Sequence, residues 1–135
     1  MCKFMNFENA LNQAKKVLIK NKIIESPLLD TEILLSKAIN KKREFIILNL
    51  DKKIDKDSFQ HFRDLVLQRA SGKPISYIIK EKGFWKYQFK ISEDVLIPRP
   101  DTEILIEQVL KITQYKNKLK ILDIGVGSGC ILLSI

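Results

Sequence analysis

The sequence predicts an α+β chain: an amino-terminal bundle of short helices, a β-hairpin, and then the opening strand and glycine-rich turn of an α/β fold. Three observations carry this prediction. Apolar residues recur at three- and four-residue steps through residue 74. The apolar period changes to two after Lys82-Gly83. Finally, the Ile- and Leu-rich run from Leu119 to Ile124, suited to a buried parallel strand, delivers Asp123 and then Gly125, Gly127 and Gly129 on alternate residues.

In the first helix Phe7, Ala10, Leu11, Ala14, Val17 and Leu18 share one face, and Asn6 is its natural N-cap. Ser26-Pro27 reads as a cap followed by proline in the first turn. Leu28, Leu29, Ile33, Leu34, Leu35, Ala38 and Ile39 continue that second helix until Asn40 ends it. Arg43 to Leu48 suggests a short third helix. Asp55 or Asp57 can cap a fourth, in which Phe59, Phe62, Leu65, Val66 and Ala70 face a core and Ser71-Gly72 is the stop. Pro74 opens a short helical turn through Ile78.

Trp85, Tyr87, Phe89 and Ile91 alternate with Lys86, Gln88 and Lys90, the pattern of a strand with one wet face. Val95-Leu96-Ile97 is expected to pair with it across a Ser92-Glu93-Asp94 turn. Pro98-Arg99-Pro100 then stops regular pairing. Asp101 or Thr102 caps a helix with Ile104, Leu105, Val109 and Ile112 towards a core and Glu103 in its first turn. The chain stops one or two turns into the helix expected after Gly129. One strand and a helix stub cannot bury their own apolar surface, so the remaining sheet is expected beyond Ile135, and Ile131, Leu132, Leu133 and Ile135 are expected to be exposed.

Composition bounds the function. The 135 residues suit one small domain plus part of another, and 45% hydrophobic with 30% charged content is that of a folded protein. No stretch approaches the roughly eighteen uncharged apolar residues of a membrane span, and the start has no signal-peptide core, so a cytoplasmic protein is expected. Cys2 and Cys130 lie at opposite ends and read as reduced thiols, and neither they nor the lone His61 has metal-ligand or triad spacing. The net charge of +8, 24 basic against 16 acidic residues, admits attraction to an acidic protein or a weak RNA contact. Its lysines are nevertheless scattered, which favours a solvated surface.

Glycines at 125, 127 and 129 permit positive φ and let a ligand approach the backbone closely. A dinucleotide GxGxxG pattern would need glycine where Cys130 stands, and no GK[ST] follows to make a phosphate loop. An acid at the strand end followed by GxGxG is the spacing of an S-adenosylmethionine site, where Asp123 would favour the ligand's cationic end. The same residues also suit a tight strand-to-helix turn without any ligand.

Two further segments carry a resemblance. Gly72, Pro74, Tyr77, Ile78, the Phe84-Trp85 pair and the run Ile97-Pro-Arg-Pro-Asp-Thr-Glu103 resemble the linker of the peptide chain release factor glutamine-N(5) methyltransferases, the HemK family. Asp30-TEILLSKAIN resembles that family's second bundle helix, and ILDIGVGSG its first methyltransferase motif. The resemblance implies a helical substrate-recognition bundle (1–74), a hairpin linker (75–98) and the start of a Rossmann-like methyltransferase domain (99–135). It implies that Gly125, Val126, Gly127, Ser128 and Gly129 line S-adenosylmethionine, with Asp123 beneath its methionine end and Pro98, Arg99 and Thr102 framing the pocket. The implied activity is methyl transfer to the glutamine amide nitrogen of a Gly-Gly-Gln loop in release factors. The family's Asn-Pro-Pro-Tyr motif and the ribose-binding acid after its second strand do not occur in these 135 residues, so no catalytic residue is assigned and the chain alone is expected to transfer methyl groups negligibly. A non-catalytic fragment that binds release factor or RNA, and a methyltransferase acting on DNA or another protein, are the alternatives.

Overall fold

A computed structural model describes residues 5–23, 25–116 and 118–135. They divide into two compact units, residues 1–79 and 80–135.

The first unit is helical. Helix α1 (Phe7–Lys20) starts where Asn6 Oδ1 accepts the Asn9 amide at 2.9 Å, satisfying one of the orphan amides of the first turn. It buries Phe7, Ala10, Leu11, Ala14 and Leu18, while Val17 lies at the rim. Helix α2 (Pro27–Ala38) opens with its proline and buries Asp30, Thr31, Leu34 and Leu35. Leu28 and Leu29, expected on that face, are exposed. Ser26 makes no capping bond to a helix amide; its hydroxyl donates instead to Asp30 Oδ1 at 3.3 Å. Asn40, at φ +50, turns the chain out of α2. The short α3 (Arg43–Ile47) buries Ile46.

Helix α4 (Lys56–Ala70) uses Asp55, whose carboxylate accepts the Ser58 amide at 2.9 Å, and ends at Gly72 with φ +94. The Ser58 amide beside Asp55 holds that carboxyl below its ordinary range. Helix α5 (Ile75–Ile79) follows. Helix α2 packs on α1, α3, α4 and α5, and α1 packs on α4, around a core that includes Leu18, Leu34, Leu35, Ile46 and Phe62. Two cross-links fix this arrangement. The amides of Phe7 and Glu8 donate to the carbonyls of Lys52 and Leu50, tying the start of α1 to the segment before α4. Arg69 Nε of α4 meets Asp30 Oδ2 of α2 at 2.6 Å, and Arg69 Nη1 donates to the Lys73 carbonyl at 3.2 Å.

In the second unit, β1 (Glu81–Phe84) pairs antiparallel with β2 (Tyr87–Lys90), with Phe84 opposite Tyr87 and Gly83 opposite Gln88. The hairpin is therefore displaced from its expected position. Its two-residue tip is Trp85-Lys86, and residues 95–97 join no strand. The chain does turn at Ser92, whose carbonyl accepts the Val95 amide at 3.4 Å. The exposed Gln88 and Lys90 alternate with the half-buried Phe89 and the buried Ile91, but Tyr87 is 53% exposed, and Lys82-Gly83, which resembles a strand boundary, lies inside β1.

A 3-10 turn (Pro100–Thr102) leads into α6 (Glu103–Thr113), with no side-chain cap from Thr102. Helix α6 buries Ile106, with Leu110 beside it in the core, while Ile104, Leu105 and Ile112 are exposed. The helix is apolar on two stripes, so its sequence does not indicate which stripe faces inward. Residues 119–124, expected as a Rossmann-like opening strand, have no strand conformation; Leu122 is 84% and Ile124 88% exposed. A strand needs a partner for its amides and carbonyls, and the sheet here contains β1 and β2 alone among the described residues. Helix α7 (Cys130–Ser134) closes the chain.

Candidate cofactor loop

The loop between residue 123 and α7 follows from its glycines. Gly125, Gly127 and Gly129 have φ of +87, +56 and +74, so all three occupy the left-handed region. There a side chain meets its own backbone, at a cost of roughly 1–2 kcal/mol per residue. Space is not the constraint: a Cβ on Gly125 would meet nothing within 4 Å, and one on Gly127 would come only to 3.8 Å from the Gly125 carbonyl oxygen. The glycines serve the path of the chain and leave open space beside the backbone at Gly125.

The turn is closed by the Gly129 amide donating to the Val126 carbonyl at 2.8 Å, and the Gly129 carbonyl accepts the Leu133 amide at 3.0 Å as α7 begins. Ser128 Oγ accepts the Cys130 amide at 3.4 Å. Gly125, Val126 and Gly127 are exposed, and Ser128 and Gly129 are half-buried. Asp123 Oδ2 is buried and has no hydrogen-bond partner. A carboxylate oxygen removed from water without a donor is costly, and a cation or an N–H donor would satisfy it.

Other residues singled out from the sequence have local roles. Pro98 is buried, Arg99 is exposed, and the Thr102 amide donates to the Arg99 carbonyl at 3.1 Å, which makes a corner. His61 is exposed on α4, and no metal-binding cluster occurs among the described residues. Cys130 is buried at the start of α7. Ile131 and Ile135, expected to be exposed, pack against Phe84, Ile106 and Cys130, whereas Leu133 is exposed.

One residue was missed. Glu103, legible only as an acid in the first turn of α6, places Oε1 3.1 Å from the Trp85 amide it accepts. Trp85 has φ +55, rare for a bulky side chain. Two-residue hairpin tips demand positive φ at a central position. Gly83 offered that freedom, yet the tip falls two residues later.

A helical unit followed by a unit that carries a hairpin, a helix and a glycine-rich turn defines a two-part α+β protein with a candidate ligand loop near residue 125. The chain belongs to the family of the PrmC N-terminal domain, whose model matches residues 9–79. Similar proteins named release factor glutamine methyltransferase include one from Buchnera aphidicola subsp. Schizaphis graminum, 41% identical over 90% of this chain and 44% of the relative. Another, from Buchnera aphidicola subsp. Baizongia pistaciae, is 41% identical over 97% of this chain and 47% of the relative. One from Clostridium acetobutylicum is 40% identical over 97% and 46%. The chain thus spans under half the length of these relatives. No helix among the described residues is long and apolar enough to cross a membrane.

Proposed function

We propose that this chain is the amino-terminal part of an S-adenosylmethionine-dependent methyltransferase that modifies the glutamine amide of the Gly-Gly-Gln loop in peptide chain release factors, acting in the cytoplasm. In this reading residues 1–74 recognise the substrate, 75–98 link, and 99–135 begin the cofactor-binding domain. The observation that carries it is the loop itself: three left-handed glycines beside a buried, unpartnered Asp123 oxygen. The names of the relatives support the same reading.

The cofactor supplies a methyl group on a cationic sulfonium. Asp123 offers a buried, unpartnered carboxyl oxygen to the cationic methionine end. Residues 125–129 offer backbone without side chains in the way, so the ligand is held by its outline as well as its charge. A glutamine amide nitrogen is a poor nucleophile, and transfer requires groups that orient it and draw density onto nitrogen. The family's Asn-Pro-Pro-Tyr motif for that task is absent from these residues, so the chain alone is expected to bind cofactor and turn over negligibly.

Equilibrium dialysis of the purified chain with labelled S-adenosylmethionine tests the reading. Binding that Asp123→Ala weakens about tenfold or more supports it, the loss expected for a charged contact. An unaffected Asp123→Ala, or methyl transfer to release factor at the rate of a full-length relative, would overturn it.

A further inference from the structure

We infer that Glu103 is a positioning residue for the glycine loop, acting through the hairpin tip and α7, an inference that rests on the cofactor reading of residues 123–129 given above. Trp85, the first of the two tip residues, sits at φ +55. A bulky side chain keeps that conformation only where its surroundings over-determine it. Glu103 supplies such a constraint by accepting the Trp85 amide at 3.1 Å. As the first residue of α6, Glu103 is carried by a regular helix rather than by a loop.

The constraint extends beyond the tip. Phe84, next to Trp85, is 1% exposed and forms one buried cluster with Ile106 of α6 and Cys130 of α7. Trp85, Ile131 and Ile135 pack against the same cluster. Helix α7 follows Gly129 directly, and its Leu133 amide is bonded to the Gly129 carbonyl. At five residues, α7 is too short to hold its own geometry and takes it from packing. A tip released from Glu103 loosens Phe84 and Trp85, then α7, and then the last glycine of the loop.

Trp85 is the single tryptophan, and Cys130 is the single thiol once Cys2 is replaced by serine. The experiment compares the whole chain carrying Cys2→Ser with its Glu103→Ala and Glu103→Gln derivatives, since glutamine keeps an oxygen that can accept the same bond. The readouts are Trp85 emission, the labelling rate of Cys130, and S-adenosylmethionine binding by dialysis. Glu103→Ala is expected to shift emission to the red, speed labelling about tenfold and weaken binding about fivefold, the scale of one lost hydrogen bond of ordinary strength. Glu103→Gln is expected to stay near the parent on all three. Unchanged labelling in Glu103→Ala overturns the inference, and so does Glu103→Gln behaving as Glu103→Ala. If the parent itself fails to bind S-adenosylmethionine, the cofactor reading fails separately, while emission and labelling still decide whether Glu103 holds the tip and α7.

Discussion

Replacing Asp30 with alanine removes the acceptor at the centre of the α2–α4 contact, and its cost can be worked from the structure. The Asp30 side chain is 6% exposed and that of Arg69 20%, with Nε and Oδ2 2.6 Å apart. Breaking a buried pair by deleting one partner costs about 3–5 kcal/mol, because the remaining charge is left without compensation. Arg69 keeps its bond to the Lys73 carbonyl and some access to water, which puts Asp30→Ala near the lower bound, about 3 kcal/mol. A unit of this size has roughly 4–12 kcal/mol of stability in total, and each kcal/mol moves the melting point by about 4–8 °C. Asp30→Ala should therefore lower the thermal midpoint of the helical signal by roughly 12–24 °C, measured by far-ultraviolet circular dichroism on the whole chain. Glu32→Ala is the control. It breaks the Arg43–Glu32 pair, 2.9 Å long but with Arg43 47% exposed, and should cost about 1 kcal/mol or less. Asp30→Leu combined with Arg69→Met should recover most of the loss, since an apolar pair leaves no buried charge. A cost for Asp30→Ala no larger than that for Glu32→Ala would refute the claim that this pair is desolvated.

Two other outcomes can be checked directly. The folded-state pKa of Asp55 lies below its ordinary value, so its contribution is present above the ordinary carboxylate pKa and lost as pH falls through the lowered one; Asp55→Asn should flatten that part of the urea midpoint against pH, and an unchanged profile would contradict the capping role. Gly127→Ala places a Cβ at φ +56, so it should strain the loop by about 1–2 kcal/mol and weaken S-adenosylmethionine in dialysis while leaving the melting of the helical unit unchanged; undiminished binding would mean that the ligand does not use this backbone.

The helices were largely legible because their cues are local. Asn6, Asp55 and Gly72 act within a turn of where they stand, and the face of α1 needs only the 3.6-residue period. The hairpin was misplaced because its turn was expected at Ser92-Glu93-Asp94, whereas the tip is Trp85-Lys86, seven residues earlier, and Lys82-Gly83, which resembles a strand boundary, lies inside β1. The conformation of Trp85 depends on an acceptor eighteen positions away, and no local pattern reports Glu103. The inward face of α6 was misassigned for a related reason: two apolar stripes compete, and the choice of Ile106 over Leu105 follows from its neighbours Phe84 and Cys130. The glycine loop was visible as residues and spacing, but the orphaned oxygen of Asp123 depends on three-dimensional burial. The expected strand at 119–124 failed on pairing, because apolar content alone supplies no partner for its backbone.

The most direct test of the proposed activity joins residues 1–135 in frame to the remaining part of the Buchnera aphidicola relative and supplies labelled S-adenosylmethionine and a release factor. The account predicts label on the glutamine of the Gly-Gly-Gln loop, lost when Asp123 is replaced by alanine. A folded hybrid that transfers no label, or one whose transfer is indifferent to Asp123→Ala, would contradict it.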